Sequence, residues 1–166
     1  MARASPATVI SHWYHLLEGL QTSPQGFYAA VEAAIQRRQV PDAYTQRIDW
    51  KEGGLLSARR EYLRVRRKKL VFDICGAPFG PSFFVSWWLG ELPSGFLALL
   101  ASIPVVGLLF ERYLRPRTYY QIDTALMFQE SIRAAVMDVV DNMSKAKGLR
   151  LLSVLERNPV MRDMRR

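Results

Sequence analysis

Residues 74–110, ICGAPFGPSFFVSWWLGELPSGFLALLASIPVVGLLF, form a run of 37 positions whose single charge is Glu91. A soluble core buries an apolar helix of roughly ten to fourteen residues, whereas about 18 or more apolar residues in a row mark a membrane segment. The flanks point the same way. Arg64, Arg66, Arg67, Lys68 and Lys69 precede the run, and Arg112, Arg115 and Arg117 follow it. Trp87, Trp88 and Tyr113 supply the aromatics expected at a membrane interface. The expected fold is therefore an α+β membrane protein: N-terminal helices plus a three-stranded antiparallel meander, a short membrane helical hairpin, and a long C-terminal amphipathic helix.

Three segments follow from this reading. Residues 1–75 form an N-terminal α/β domain, 76–115 the membrane hairpin or a single span, and 116–166 a helical segment with a basic tail. Ser5-Pro6 reads as a helix start, with Val9, Trp13, Leu16, Leu17 and Leu20 at helical spacing behind it; Ser23-Pro24 starts a second helix over 24–38. Tyr44, Ile48 and Trp50 then alternate with polar residues, the mark of a half-buried strand, and two further strands are expected over 55–66 and 69–75. Gly76, Pro78, Gly80 and Pro81 form an irregular elbow into a first membrane arm, Phe83–Leu89, and a polar turn around Glu91–Gly95 leads to a second, Phe96–Leu114. The rivals are one tilted span over Phe96–Leu114 and a hairpin buried in an aqueous core. A long helix is expected over 119–145, closed by Lys145, Lys147 and Gly148, and a short one over Leu149–Arg157.

Both polar parts are basic. Residues 1–73 carry +5 and 111–166 carry +4, within a chain of net charge +8 and pI near 10.0. The positive-inside rule then places both termini on the cytoplasmic side of a bacterial-type inner membrane. His12, His15 and Glu18 interrupt what a cleaved secretory signal would need as an apolar stretch, and no lipidation motif is expected to anchor the chain.

Chemistry is sparsely signalled. His12 and His15 are the only histidines and lack the further donors of a metal site; Cys75 is the only cysteine, and no nucleotide-binding or hydrolase motif is present. No catalytic residue, metal or cofactor is expected, and no small-molecule substrate. Asp73 is expected to pair with an arginine of the hairpin. Glu91, inside the run, is a candidate intramembrane functional group. The strongest candidate binding surface is the cluster Arg59, Arg60, Arg64, Arg66, Arg67, Lys68 and Lys69, seven cations in eleven positions. In a strand, Arg60, Arg64 and Arg66 share one face, with Tyr62 between them. Such cations suit anionic lipid headgroups first and nucleic acid second, with Tyr62 as the stacking residue.

Three functions are weighed. The leading one is a small integral membrane protein, not an enzyme, that acts by tethering, assembly or regulation through its basic domain. The second is an oligomeric pore or membrane-perturbing effector gated by an anionic ligand, with a second copy of the chain as partner. The third is a soluble nucleic-acid-binding protein whose apolar run is core.

Overall fold

Residues 74–79 and 82–91 form strand. In a computed structural model, which describes residues 2–3, 7–51, 59–92 and 118–161, the chain runs β1 (Ala2–Arg3), β2 (Thr8–Leu17), α1 (Pro24–Arg37), β3 (Ala43–Lys51), β4 (Arg59–Arg67), β5 (Leu70–Phe79), β6 (Ser82–Glu91), α2 (Tyr119–Ala146), a 3-10 turn at Leu155–Arg157 and β7 (Val160–Met161). The strands form one sheet in the order β1-β3-β4-β5-β6-β2-β7. Its body is five long antiparallel strands, the meander β3 to β6 with β2 added beside β6. Two-residue pieces border it, β1 parallel to β3 and β7 antiparallel to β2.

The membrane reading is corrected here. β5 continues unbroken through Gly76 and Pro78, and a two-residue turn with Gly80 at φ 57° leads into β6, the short loop that suits a right-twisted hairpin. β6 is an inner strand, bonded to β5 on one side and β2 on the other. A hairpin buried on both faces reads as a nearly continuous apolar stretch, which is why it imitates a membrane arm. Among the described residues no helix is long and apolar enough to cross a membrane. This overturns the expected membrane α+β fold with its helical hairpin, and with it the expected transmembrane helix and inner-membrane placement with cytoplasmic termini. The second expected arm, Phe96–Leu114, lies outside the described residues, as does Tyr113.

The expected first helix is strand β2. A β-bulge between Val9 and Ser11 shifts the alternation, and Leu16 is an apolar residue on the solvent-facing side, 40% exposed, so the apolar spacing resembles a helical stripe. The two α-helices among the described residues begin at caps. Ser23 accepts from the Gly26 N–H at 3.0 Å with Pro24 behind it, and Thr118 and Gln121 form a reciprocal capping box. After α2 the Gly148 N–H bonds the Lys145 carbonyl and the Leu149 N–H reaches back to Ser144, with Gly148 at φ 67°, which stops the helix. In place of the expected helix over Leu149–Arg157 there is only the 3-10 turn.

Both helices pack on one face of the sheet. Phe27, Val31 and Ile35 of α1 and Phe128, Ile132, Val136 and Val140 of α2 meet Leu63, Val65, Phe72, Ile74, Phe83, Val85, Trp87 and Leu89. The ladder between β4 and β5 ends at Leu63–Ile74, and the Tyr28 hydroxyl occupies the opening beyond it. It donates to the Glu61 carbonyl at 2.7 Å and accepts from the Gly76 N–H at 3.0 Å, so both backbone groups stay satisfied. Only glycine fits at position 76, because a Cβ would lie 2.4 Å from the Phe27 ring.

The sheet curls away from the helices. Five inter-strand steps separate β1 from β2, about 24 Å if the sheet were flat, yet the five residues from Arg3 to Thr8 reach at most about 18 Å. The edges must therefore approach each other.

The segment after α2 is clipped to β2 and α2. The Trp13 indole donates to the Glu156 carbonyl at 2.6 Å, and Arg157 makes a two-pronged pair with Asp141. Arg150 and the Ser153 N–H both bond the Glu156 carboxylate, whose pKa they hold well below the usual glutamate value of 4.5. A depressed folded pKa gives stability that is fully present above about 4.5 and is lost as pH falls through the lower folded value. The Trp13 indole N–H resonance should therefore hold its position through pH values near 4.5 and move only in stronger acid. A midpoint at the ordinary glutamate value would show that the clip does not form.

Candidate functional site

Strand register sorts the side chains of the sheet between the face that α1 and α2 cover and the opposite face. Because paired residues point the same way, one cross-strand row on the opposite face reads Gln46, Arg64, Asp73, Trp88, His12. Neighbouring rows add Tyr44, Arg66, Val71 and Gly90 on one side, and Ile48, Tyr62, Cys75, Ser86 and Tyr14 on the other. Trp50, Arg60 and Phe84 follow beyond. Among the described residues neither helix lies on this face.

At its centre Arg64 clamps Asp73 with two bonds of 2.7 Å, from Nε to Oδ1 and from Nη2 to Oδ2. The pair is 3% and 7% exposed. Sequence reasoning expected an arginine partner for Asp73, and Arg64 is that partner. Beside the pair, the Trp88 and His12 rings stack at 4.7 Å with planes 13° apart, and Tyr14 stacks on Phe84 at 6.4 Å. Burial pushes the Cys75 thiol and the Tyr62 phenol above their ordinary pKa values, so neither is a ready nucleophile.

The curl turns this face into a concave surface. A cavity of about 210 Å³ lies on it, walled by Trp50 of one edge, Ala7 and Val9 of the other, and Tyr62, Val71, Asp73 and Trp88 of the strands between. Such a sheet fills its concave side with its own side chains, in keeping with the burial of Ile48, Val71, Cys75 and Ser86.

The predicted site residues are distributed unevenly. Arg60 is exposed and Arg66 half-buried on the concave face, Arg66 bonding the Lys68 carbonyl at 3.1 Å. Arg67 points the other way, to the Pro41 carbonyl, while Lys68 and Lys69 sit exposed at the β4–β5 turn and Arg59 opens β4. Lys68 lies 4.0 Å from Asp42. Trp87 and Trp88 do not form a belt, since adjacent strand residues face opposite sides: Trp87 is in the core and Trp88 on the concave face. Glu91 ends β6, half-exposed, in register with Leu70 and Thr8. His12 and His15 likewise point to opposite faces, His15 lying 3.9 Å from Glu156, and no metal-holding cluster occurs among the described residues.

Sequence reasoning missed Trp50, Trp88, His12, Tyr14 and Phe84 as members of one surface. The signal was the alternation within 82–91, hidden because both of its faces are apolar. Comparison of the chain with models of known families, with curated proteins and with solved structures gives no match.

Proposed function

We propose that this protein binds single-stranded nucleic acid along the concave face of its sheet, opposite α1 and α2. It acts by binding, not by catalysis. The observation that carries the reading is the register, which collects the rings of Trp50, Tyr62, Trp88 and His12 with the guanidinium groups of Arg60 and Arg66 on one face. The sole carboxylate there among the described strand residues, Asp73, is already neutralised by Arg64. Aromatic platforms stack successive bases while cations follow the backbone, a combination that suits single strands of any sequence. A net charge of +8 draws such a ligand in. A lipid surface fits less well, because rings recessed in a concave face cannot lie flat against a bilayer.

The test is fluorescence anisotropy of a labelled oligothymidylate. If Arg60, Arg66, Lys68 and Lys69 each neutralise a phosphate, affinity should fall about fifty-fold between about 50 and about 200 mM salt. The double variant Arg60→Glu, Arg66→Glu should bind far more weakly at either salt. Absence of binding at low salt overturns the reading, as does binding that the double variant leaves intact. Binding to anionic phospholipid vesicles in place of the oligonucleotide also overturns it, in favour of headgroups.

A further inference from the structure

We infer that the strand site extends past Trp88 to a second stacking station at Tyr14 and Phe84, where the ligand seats a further base; the inference rests on the nucleic-acid reading above and sets the reach that reading leaves open. Tyr14 stacks on Phe84 at 6.4 Å with planes 26° apart, as Trp88 stacks on His12 at 4.7 Å. Both ring pairs bridge β2 and β6, and register puts both on the concave face: His12 lies opposite Trp88, Tyr14 opposite Ser86 and Leu16 opposite Phe84. Trp88 and Phe84 are four residues apart in β6, about 13 Å along the strand. A stacked strand advances about 3.4 Å per nucleotide, so about five nucleotides engage both stations.

A cross-strand ring pair steadies a sheet whether or not solvent reaches it. Tyr14 nevertheless stays 63% exposed, and with Leu16 and Phe79 it leaves an apolar patch open at the β5–β6 turn end of this face. That patch is continuous with the proposed binding face, because the Trp88–His12 pair adjoins it on the same two strands. Its composition says which part of a strand it takes. The neighbouring positions Ala77, Leu16 and Ser86 carry no charge, while Arg66, Lys68 and Lys69 gather at the opposite end of the strands, around the β4–β5 turn. Ring faces without cations suit a base and not the phosphate backbone.

The test separates stacking from charge. Heptadeoxythymidylate is compared with two heptamers of the same backbone that lack their bases at one end or at the other. Tyr14→Thr, which keeps a strand-forming residue, should lower the affinity for heptadeoxythymidylate about tenfold, by the same factor at low and high salt. If its circular dichroism shows a lost fold, Phe84→Thr serves in its place. One of the two abasic heptamers should bind the wild-type protein more weakly yet lose nothing further with the variant, because the missing base and the missing ring belong to one contact. The other should lose affinity in both proteins alike. Losses that add for both abasic heptamers, or an unchanged affinity in the variant, overturn the second station and leave strand binding standing. No binding of heptadeoxythymidylate by the wild-type protein overturns both.

Discussion

Asp73→Ala should cost about 3–5 kcal/mol of folding stability, because it leaves the Arg64 guanidinium buried without its partner. The loss is that large for a reason of environment. Arg64 is 3% exposed and lies in the middle of a curled sheet, where its guanidinium has little contact with water to replace the two bonds it gives to the carboxylate. The pair itself is a different matter, since desolvating two ions offsets most of their attraction. The double variant Arg64→Met, Asp73→Leu should therefore recover most of what the single variant loses. Urea denaturation of wild type and both variants reads this directly. A cost below about 1 kcal/mol for Asp73→Ala would place the pair in water, as in surface ion pairs.

Trp87→Ala should cost about 3–5 kcal/mol, and Trp88→Ala, one position along, less than about 1 kcal/mol. Trp87 is fully buried, stacked on Phe72 at 4.8 Å with planes 27° apart, and in register with Trp13 and Ile74. Among the described residues its indole nitrogen has no hydrogen-bond partner, so the loss is one of packing and cavity formation. Trp88 is 38% exposed, and its substitution should appear in oligonucleotide affinity instead. Comparable costs at both positions would contradict the strand geometry, because tandem tryptophans at a bilayer interface have no reason to differ.

The parts legible in the sequence are those set by local chemistry. Ser23-Pro24 located α1, the stripe from Ala125 to Val139 located α2, and the alternation of Tyr44, Ile48 and Trp50 located β3. The grouping of Arg60, Arg64 and Arg66 on one side of β4 follows from the two-residue period, as does their juxtaposition with Tyr62. β2 was not legible, because its bulge breaks that period while Trp13, Leu17 and Leu20 keep a spacing a helix would share. β6 was not legible either. Its helical face carries Phe83, Val85, Trp87 and Leu89 and its concave face Phe84, Ser86 and Trp88, so no polar beat marks it as strand.

The candidate site was the least legible part because it depends on curvature. Trp50 and Val9 belong to strands at opposite sides of the sheet body and meet at one cavity only when the sheet closes toward itself. Nothing in the spacing of either residue encodes that approach. The basic cluster was visible as a composition, but the register divides it: Arg67 leaves the concave face, and Arg64 is spent on Asp73. What remains for a ligand is Arg60 and Arg66 beside the rings, with Lys68 and Lys69 at the rim.

The four tryptophans of the chain report the two faces separately, Trp13 and Trp87 from beneath the helices and Trp50 and Trp88 from the concave side. The most direct measurement is the set of four indole N–H resonances as a short single-stranded oligonucleotide is added. The resonances of Trp50 and Trp88 should move, while Trp13, bonded to the Glu156 carbonyl, and Trp87, enclosed in the core, should stay in place. Four unmoved resonances, or movement confined to Trp13 and Trp87, would contradict the concave face as the binding surface.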